Sequence, residues 1–256
     1  MTPTRLEITA LQNFPLVAPG DDINNLILDC APEGGFCDGD VLVIAQKIIS
    51  KAEDRYVDLD TVEPSDEAQT LATQTEKDPR LVQLILNEST EIARSRPGVI
   101  IAAHRLGFVL ANAGIDASNV DKPMDKPGDY VLLLPVDPDQ SCRDIRLRIT
   151  AETGTALSVI INDSLGRAWR QGTAGIALGA AGLPSLQDLT QQPDLHGRLL
   201  QVSKVGLADE LAAAASLVQG QGDEGKAAIL IRGFDPFEDD LNAATLIRPR
   251  DEDMFR

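Results

Sequence analysis

Two aspartates stand where oxygen ligands for a divalent cation are expected. Asp116 and Asp163 each follow an apolar run, and each has small or hydroxyl residues beside it. Mg²⁺ and Mn²⁺ take oxygen ligands and share them with substrate phosphates. Two such carboxylates from different halves of the chain predict a metal site, whereas a single Asp in this setting is more often a turn or capping residue.

The residues that follow Asp163 add further polar groups. Ser164 supplies a hydroxyl, and the guanidinium groups of Arg167 and Arg170 suit bidentate contacts with phosphate or carboxylate. The alternative is a surface loop in which the lone tryptophan, Trp169, fills a gap in the core.

A glycine-rich segment late in the chain invites a nucleotide-binding interpretation. Gly220, Gly222 and Gly225 spell GxGxxG, and residues 220–226 nearly spell a P-loop, with Ala227 where Ser or Thr would bind Mg²⁺. Both motifs need a strand before the loop and a helix after it, but the sequence predicts the reverse order. A nicotinamide- or flavin-binding oxidoreductase is therefore an alternative function for the chain. A strand directly after the loop would exclude it. A plain helix-to-strand turn, or a loop whose N–H groups hold phosphates without either fold, stays open.

Apolar runs and capping signals predict the elements that position these residues. Strands are expected over 41–45, 156–161 and 227–231, and a hairpin over 99–103 and 107–111. Helices are expected from 64–67, from Asp78 up to a stop at Pro97 and Gly98, over 139–152, and over 208–218. The strand at 156–161 would deliver Asp163 and Ser164 at its carboxyl end, and Asp116 would lie in a polar loop at 112–119.

The densest run of proline, glycine and charge falls at 121–129. It predicts an N-terminal subdomain over 1–125, a C-terminal subdomain over 126–240 and an acidic tail over 241–256. A chain of 256 residues with 43% hydrophobic and 25% charged residues has an ordinary globular composition.

Charge and composition argue against several classes of partner. The net charge of −17 and the scarcity of aromatic residues, 4% of the chain, disfavour nucleic acid and anionic membranes. No signal-peptide pattern and no run of about 18 apolar residues is found, so we expect a cytoplasmic protein. Cys30, Cys37 and Cys142 form no CxxC pair, and His104 and His196 are far apart, which disfavours a zinc site and predicts reduced thiols.

Several blocks of the sequence resemble coenzyme F420-0:L-glutamate ligases. They are ANAGIDASN at 111–119, DSLGRAWR at 163–170, DLHGR at 194–198, ADE at 208–210 and the loop at 220–225. The likeness runs in order from about Leu11 to Phe234, and the block at 111–119 is highly specific. The segment from Asp235 onwards lies outside it.

The resemblance implies an α+β protein with a mixed α/β two-subdomain fold, neither P-loop nor Rossmann, that forms an intertwined homodimer. It implies a ligase that uses GTP and Mg²⁺ or Mn²⁺, with K⁺ as a further ion, to join L-glutamate to F420-0 through an acyl phosphate. By position, the residues that resemble nucleotide contacts are Phe14, Pro15, Leu16, Val17, Gln46, Lys47, Lys51, Asn119, Gln219, Gly220, Gln221, Gly222, Asp223, Glu224, Gly225 and Lys226. Those that resemble metal ligands are Asp116, Asp163, Ser164 and Gln221, and the catalytic role is assigned to Asp116, Asp163 and Lys51.

The chain departs from the family pattern in three places. Gln46 and Lys47 stand where relatives have small hydroxyl residues, Gln221 stands where relatives can have Glu, and Asp54 replaces a common Gly. A neutral amide oxygen is a weaker ligand for a dication than a carboxylate. Two alternatives stay open: a ligase of the same fold that acts on another carboxylate, and a non-catalytic protein that binds F420 or a nucleotide and would tolerate loss of the metal ligands.

Overall fold

The computed structural model describes residues 4–117, 120 and 127–254. The strands are β1 (Glu7–Ala10), β2 (Val41–Ala45), β3 (Tyr56–Asp58), β4 (Ser89–Arg96), β5 (Val99–His104), β6 (Val109–Ala111), β7 (Tyr130–Leu132), β8 (Ser158–Arg167), β9 (Arg170–Ala181), β10 (Gln187–Asp188), β11 (Lys204–Val205) and β12 (Ala228–Arg232). The α-helices are α1 (Ile23–Asp29), α2 (Gln46–Ala52), α3 (Asp66–Thr75), α4 (Pro79–Asn87), α5 (Pro138–Thr153) and α6 (Leu207–Gln219).

A mixed five-stranded sheet forms the centre of the molecule, with the strand order β1-β12-β2-β8-β9. β2 and β8 are parallel, and the other neighbours are antiparallel. Side chains alternate along β2, so Leu42 and Ile44 pack on the face that α1 and α5 cover, whereas Val41 and Val43 pack on the face that α6 covers. The sheet takes strands from both sides of the segment at 121–129, and the division into subdomains stays a prediction.

A second layer holds α3, α4 and the antiparallel sheet β4-β5-β6 around its own apolar cluster. The helix starts are confirmed: the Ser65 side chain accepts a hydrogen bond from the N–H of Ala68, and Asp78 accepts one from Arg80. The expected continuation of α4 to Pro97 is wrong. The helix ends at Asn87, and β4 pairs with β5 through a two-residue turn at Pro97 and Gly98.

β8 is longer than predicted, because it continues as one arm of a hairpin with β9. Asp163 and Ser164 therefore lie inside the strand, opposite Ile176 and Gly175, rather than at its carboxyl end. Trp169 lies at the hairpin tip with φ of 64° and is 88% exposed, so the core-filling interpretation of this residue is wrong.

The C-terminal residues 241–253, here called the C-terminal strap, pack against the rest of the structure. Its fully buried Ala243 and its neighbour Ala244 donate backbone N–H groups to the carboxylate of Asp139, at 2.9 and 3.3 Å, and Ala180 donates a third N–H at 2.9 Å. Ile247 packs so closely on Gly107 that a Cβ there would lie 2.8 Å from its Cδ1. An anionic acceptor with three N–H donors thus fastens the strap to α5 and β9.

Glu88, which follows α4, lies among two arginines and a histidine. Its Oε2 lies 3.2 Å from guanidinium nitrogens of both Arg55 and Arg105, and 3.3 Å from Nε2 of His104. Because Nδ1 of His104 accepts the N–H of Leu106, Nε2 carries the proton that faces Glu88. These contacts lower the pKa of Glu88 to about 2, with His104 as the largest cause, followed by the two arginines against an opposing effect of burial.

Among the described residues, no helix combines the length and the apolar character needed to cross a bilayer.

Candidate functional site

A cavity of about 420 Å³ opens where β2 ends beside the middle of β8. The two strands are parallel and Ala45 is in register with Asn162, so the start of α2 and the polar residues of β8 meet at one edge of the sheet. The residues that line the cavity are Phe14, Pro15, Leu16, Val17, Ala45, Gln46, Lys47, Ile48, Lys51, Asn162, Asp163, Ser164, Ser216, Gln219, Gly220, Gln221, Gly222, Asp223, Glu224, Gly225, Lys226 and Ala227.

Asp116 is positioned by an unusual backbone. Asn112, Ala113 and Gly114, which lie two to four positions before Asp116, all have left-handed conformations, with φ of 51°, 53° and 71°. The main chain of Asp116 then forms two 2.9 Å hydrogen bonds with that of Leu132. Left-handed conformations of non-glycine residues cost roughly 1–3 kcal/mol each and concentrate at functional sites, so residues 112–114 form a strained turn that directs the carboxylate of Asp116.

The carboxylate of Asp116 contacts the start of α2. Its Oδ2 accepts a hydrogen bond from Nε2 of Gln46 at 3.0 Å and lies 3.4 Å from Nζ of Lys47. The Oε1 of Gln46 in turn accepts the hydroxyl of the fully buried Ser50 at 2.9 Å, so the orientation of the amide is fixed.

Asp163 is a carboxylate in an unfavourable environment. Burial, and next the negative charge of Asp116, raise its pKa to about 7, although the N–H of Ser164 and the charge of Lys47 act in the opposite direction. A dication between the two carboxylates would stabilise the ionised form of Asp163 and so offset both causes of this rise in its pKa.

The donor set fits a hard cation. Asp116, Asp163, Ser164 and Gln221 offer oxygen only, the chemistry that Mg²⁺ and Mn²⁺ require. Within the described ranges, no cluster of three His, Cys, Asp or Glu side chains is found. A hard cation at this place would take only part of its ligands from these side chains, and phosphate and water oxygens would complete the set, as is usual for Mg²⁺.

The glycine-rich loop joins α6 to β12, so a helix precedes it and a strand follows it. This is the reverse of the order that a dinucleotide fingerprint or a P-loop needs. The amides of Asn162 and Gln219 exchange hydrogen bonds of 2.8 and 3.2 Å and fix the start of the loop on β8. The carboxylate of Glu224 accepts the N–H of Gly222 at 2.8 Å, and hydrogen bonds from backbone groups of the loop lower its pKa. The loop thus already holds an anion with its backbone.

The structure brings most of the predicted contacts together. One cavity is lined by residues 14–17, 46, 47, 51 and 219–226, together with Asp163 and Ser164. Asp116 is not part of its lining but contacts Gln46 and Lys47, which are. Asn119 lies outside the described residues. Sequence reasoning missed Ser216, which lies one helical turn before Gln219 on α6 and could have been found by that spacing.

Arg167 and Arg170 do not line this cavity; Arg167 lines a different one.

The departure from the family pattern at Asp54 has a structural explanation, because the residue has φ of 53°. Glycine adopts this conformation freely, and aspartate is among the few other residues that adopt it readily.

A family model described as F420-0:Gamma-glutamyl ligase matches residues 12–233 of the chain. The chain is 46% identical over 255 residues to a protein named coenzyme F420:L-glutamate ligase from Methanothermobacter thermautotrophicus, covering 98% of this chain and 99% of the relative. Proteins of the same name from Methanopyrus kandleri and Methanocaldococcus jannaschii are 46% and 41% identical, covering 94% and 98% of this chain. Coverage of 98% extends the likeness into the segment after Phe234.

Proposed function

The chain belongs to the F420-0:gamma-glutamyl ligase family, and on that premise we propose that it joins L-glutamate to coenzyme F420-0 at the expense of GTP, with Mg²⁺ or Mn²⁺ and, as a further ion, K⁺. The relatives named coenzyme F420:L-glutamate ligase support the substrates. The observation that carries the site is that Asp163, the glycine-rich loop and a lysine-bearing helix start that contacts Asp116 meet at one cavity.

The proposed reaction has two steps. A carboxylate oxygen of F420-0 attacks the γ-phosphorus of GTP, so that an acyl phosphate forms and GDP leaves. The amine of glutamate then attacks the acyl carbon, phosphate leaves, and the nitrogen loses a proton as the amide forms. Neither step needs a side-chain nucleophile.

The residues of the cavity have distinct roles in this scheme. The backbone N–H groups of the glycine loop and the cations Lys47, Lys51 and Lys226 compensate the charge of the phosphates. Asp116, Asp163, Ser164 and Gln221 would hold the cation, which when bound would neutralise charge that develops on the transferred phosphoryl group. Gln46 holds Asp116 in the orientation that this requires.

The proposal includes a nucleotide site that is neither a P-loop nor a Rossmann fold, and a homodimer. Three large apolar side chains, Trp169, Leu195 and Val202, are 88%, 102% and 86% exposed in the single chain, and a homodimer would provide a surface to cover them. Light scattering of the purified protein at several concentrations tests the dimer, and a mass of one chain throughout would contradict it.

One assay tests the ligase directly. Purified protein is incubated with GTP, Mn²⁺, L-glutamate and F420-0, and mass spectrometry follows the product. We expect F420-0 to gain one glutamyl unit in step with GDP release, and to gain none when GTP is omitted. GTP-dependent condensation of glutamate with another carboxylate but not with F420-0 would favour the same-fold ligase with a different acceptor. Nucleotide or F420 binding without any turnover would favour a non-catalytic protein.

A further inference from the structure

A second cavity of about 260 Å³ lies at the β9 edge of the central sheet, between the sheet, β6 and the C-terminal strap. Its apolar walls include Phe108, Leu165 and Ile176, and its polar groups include Arg167, Arg248 and Asp209. The cavity thus combines two guanidinium groups with two carboxylates, those of Asp209 and Asp253, in a small space with apolar walls, a pattern typical of sites for small charged molecules.

The guanidinium of Arg167 has an unfulfilled hydrogen-bonding group. Its Nη1 is shielded from solvent, and within the described part of the chain it has no hydrogen-bond partner. Burying a cationic donor without an acceptor is costly, so native proteins rarely leave one unpaired without a reason. Because Nη1 is shielded, a ligand carboxylate in the cavity would reach it only after the Arg167 side chain reorients, and would then supply the missing acceptor in the bidentate geometry that arginine favours.

Asp209 supplies charge of the opposite sign. Its Oδ1 accepts the N–H of Ala177 at 2.9 Å, and burial raises its pKa. A positively charged ligand group beside this carboxylate would offset the cost of its burial. The cavity therefore offers complementary charges to both ends of a zwitterion.

The cavity adjoins the nucleotide site along a single strand. Asn162, Asp163 and Ser164 line the first cavity, and Leu165, Gly166 and Arg167 line the second. Three residues separate Asp163 from Arg167, and the four steps of extended chain between the two Cα atoms correspond to about 13 Å. Ala177, which binds Asp209, is in register with Asn162. Asp209 is therefore nearer to the Asp163 end of the strand, and Arg167 is farther away.

We propose that this cavity binds the incoming amino acid, with its carboxylates at Arg167 and Arg248 and its ammonium group near Asp209. The assignment rests on the proposed function for the identity of the amino acid, glutamate. It directs the amine towards the nucleotide cavity and the side-chain carboxylate away from it. It also gives the C-terminal strap a binding role, because Arg248 belongs to that segment.

The test compares kinetic constants of variants with those of the parent enzyme. Arg167→Met keeps much of the side-chain length and removes the charge, Arg167→Lys restores a charge, and Arg148→Met, on the outer side of α5, is the matched control. We expect Arg167→Met to raise the KM for glutamate at least about tenfold, equivalent to about 1.4 kcal/mol, with the KM values for GTP and F420-0 changed less than twofold. Arg167→Lys should recover part of the loss, which a purely structural role of the side chain would not predict.

An unchanged KM for glutamate, or a rise confined to the KM for F420-0, would overturn the assignment. If Arg167→Met does not fold, Arg248→Met on the exposed strap is judged by the same criteria.

A binding measurement separates this proposal from the proposed function. Saturation-transfer NMR with L-glutamate should show contact with the parent protein, reduced contact with Arg167→Met, and unaltered contact with Arg148→Met. That result would support the site even if the parent formed no glutamyl product. Equal transfer to the parent and to Arg167→Met, or no transfer to the parent, would exclude it.

Discussion

Replacing Asp163 by asparagine should lower activity and raise the stability of the metal-free protein at the same time. The amide keeps the shape of the carboxylate, and its oxygen can still accept the N–H of Ser164, which donates to Oδ1 at 2.8 Å. The change removes the charge that a dication needs. It also removes the charge that lies buried beside Asp116.

Both magnitudes follow from the site. Losing a charge that stabilises the transition state should cost at least about 2 kcal/mol, or roughly thirtyfold in turnover. The pKa of Asp163 rises from 3.8 to about 7, and each pH unit corresponds to about 1.4 kcal/mol, so the upper bound on the cost of keeping this side chain ionised is about 4 kcal/mol. Because the side chain keeps part of its surface in contact with solvent, we expect a gain of about 2 kcal/mol in the variant.

Urea unfolding in EDTA at about pH 8 measures the stability difference, and the ligase assay with Mn²⁺ measures turnover. Asp144→Asn, on the exposed side of α5, is the control and should change neither quantity. Adding Mn²⁺ should stabilise the parent more than the variant, because ligand binding to the folded state raises stability. An Asp163→Asn protein that is no more stable than the parent in EDTA, or that keeps more than a tenth of its turnover, would refute the reasoning.

Three further predictions concern other parts of the molecule. Gln221→Glu should lower the Mn²⁺ concentration that gives half-maximal activity, since a charged oxygen replaces a neutral one; an unchanged value at fixed GTP would place residue 221 outside the metal shell. Glu88→Gln should destabilise the protein by about 2 kcal/mol near neutral pH. Because the folded-state pKa of Glu88 is lowered from 4.5 to about 2, the greater stability of the parent is fully present above pH 4.5 and should shrink as the pH falls towards 2. If the urea midpoints of parent and variant differ equally at both ends of this pH range, the prediction is wrong. Asp139→Asn should lower the free energy of unfolding by about 2 kcal/mol, because it places an NH₂ group against the N–H of Ala244. Limited proteolysis should then cut the C-terminal strap faster in this variant than in Asp144→Asn, and equal rates of cleavage would contradict the prediction.

Local signals predicted the elements whose formation depends on nearby residues. The apolar run at 41–45 and the caps at Ser65 and Asp78 identify β2, α3 and α4 without knowledge of the rest of the chain. β4 escaped prediction because the residues after Asn87 include Glu, Ala and Arg, which favour helices, whereas the pairing with β5 decides the outcome. Long-range pairing with β9 likewise extends β8 past Asp163.

The sequence predicted most residues of the candidate site but not how they are arranged in space. Only the resemblance to the ligase family assigned Phe14, Gln46 and Gln219 to one site. These residues are far apart in sequence and line the same cavity only in the folded chain. The raised pKa of Asp163 depends on burial and on Asp116, neither of which can be derived from a strand pattern. The composition of the C-terminal strap gave no indication that Asp139 would fasten it.

The position of β12 has a consequence for how the chain is made. β12 lies between β1 and β2, and Arg232 is in register with Glu7 while Ile231 is in register with Val41. During translation, the first two strands of the sheet therefore leave the ribosome with a gap between them that only residues 228–232 can fill. Such late, distant pairing slows folding and leaves strand edges open to other chains. A nascent chain that stalls before residue 228 would contain most of the protein and yet lack the strand that closes its central sheet.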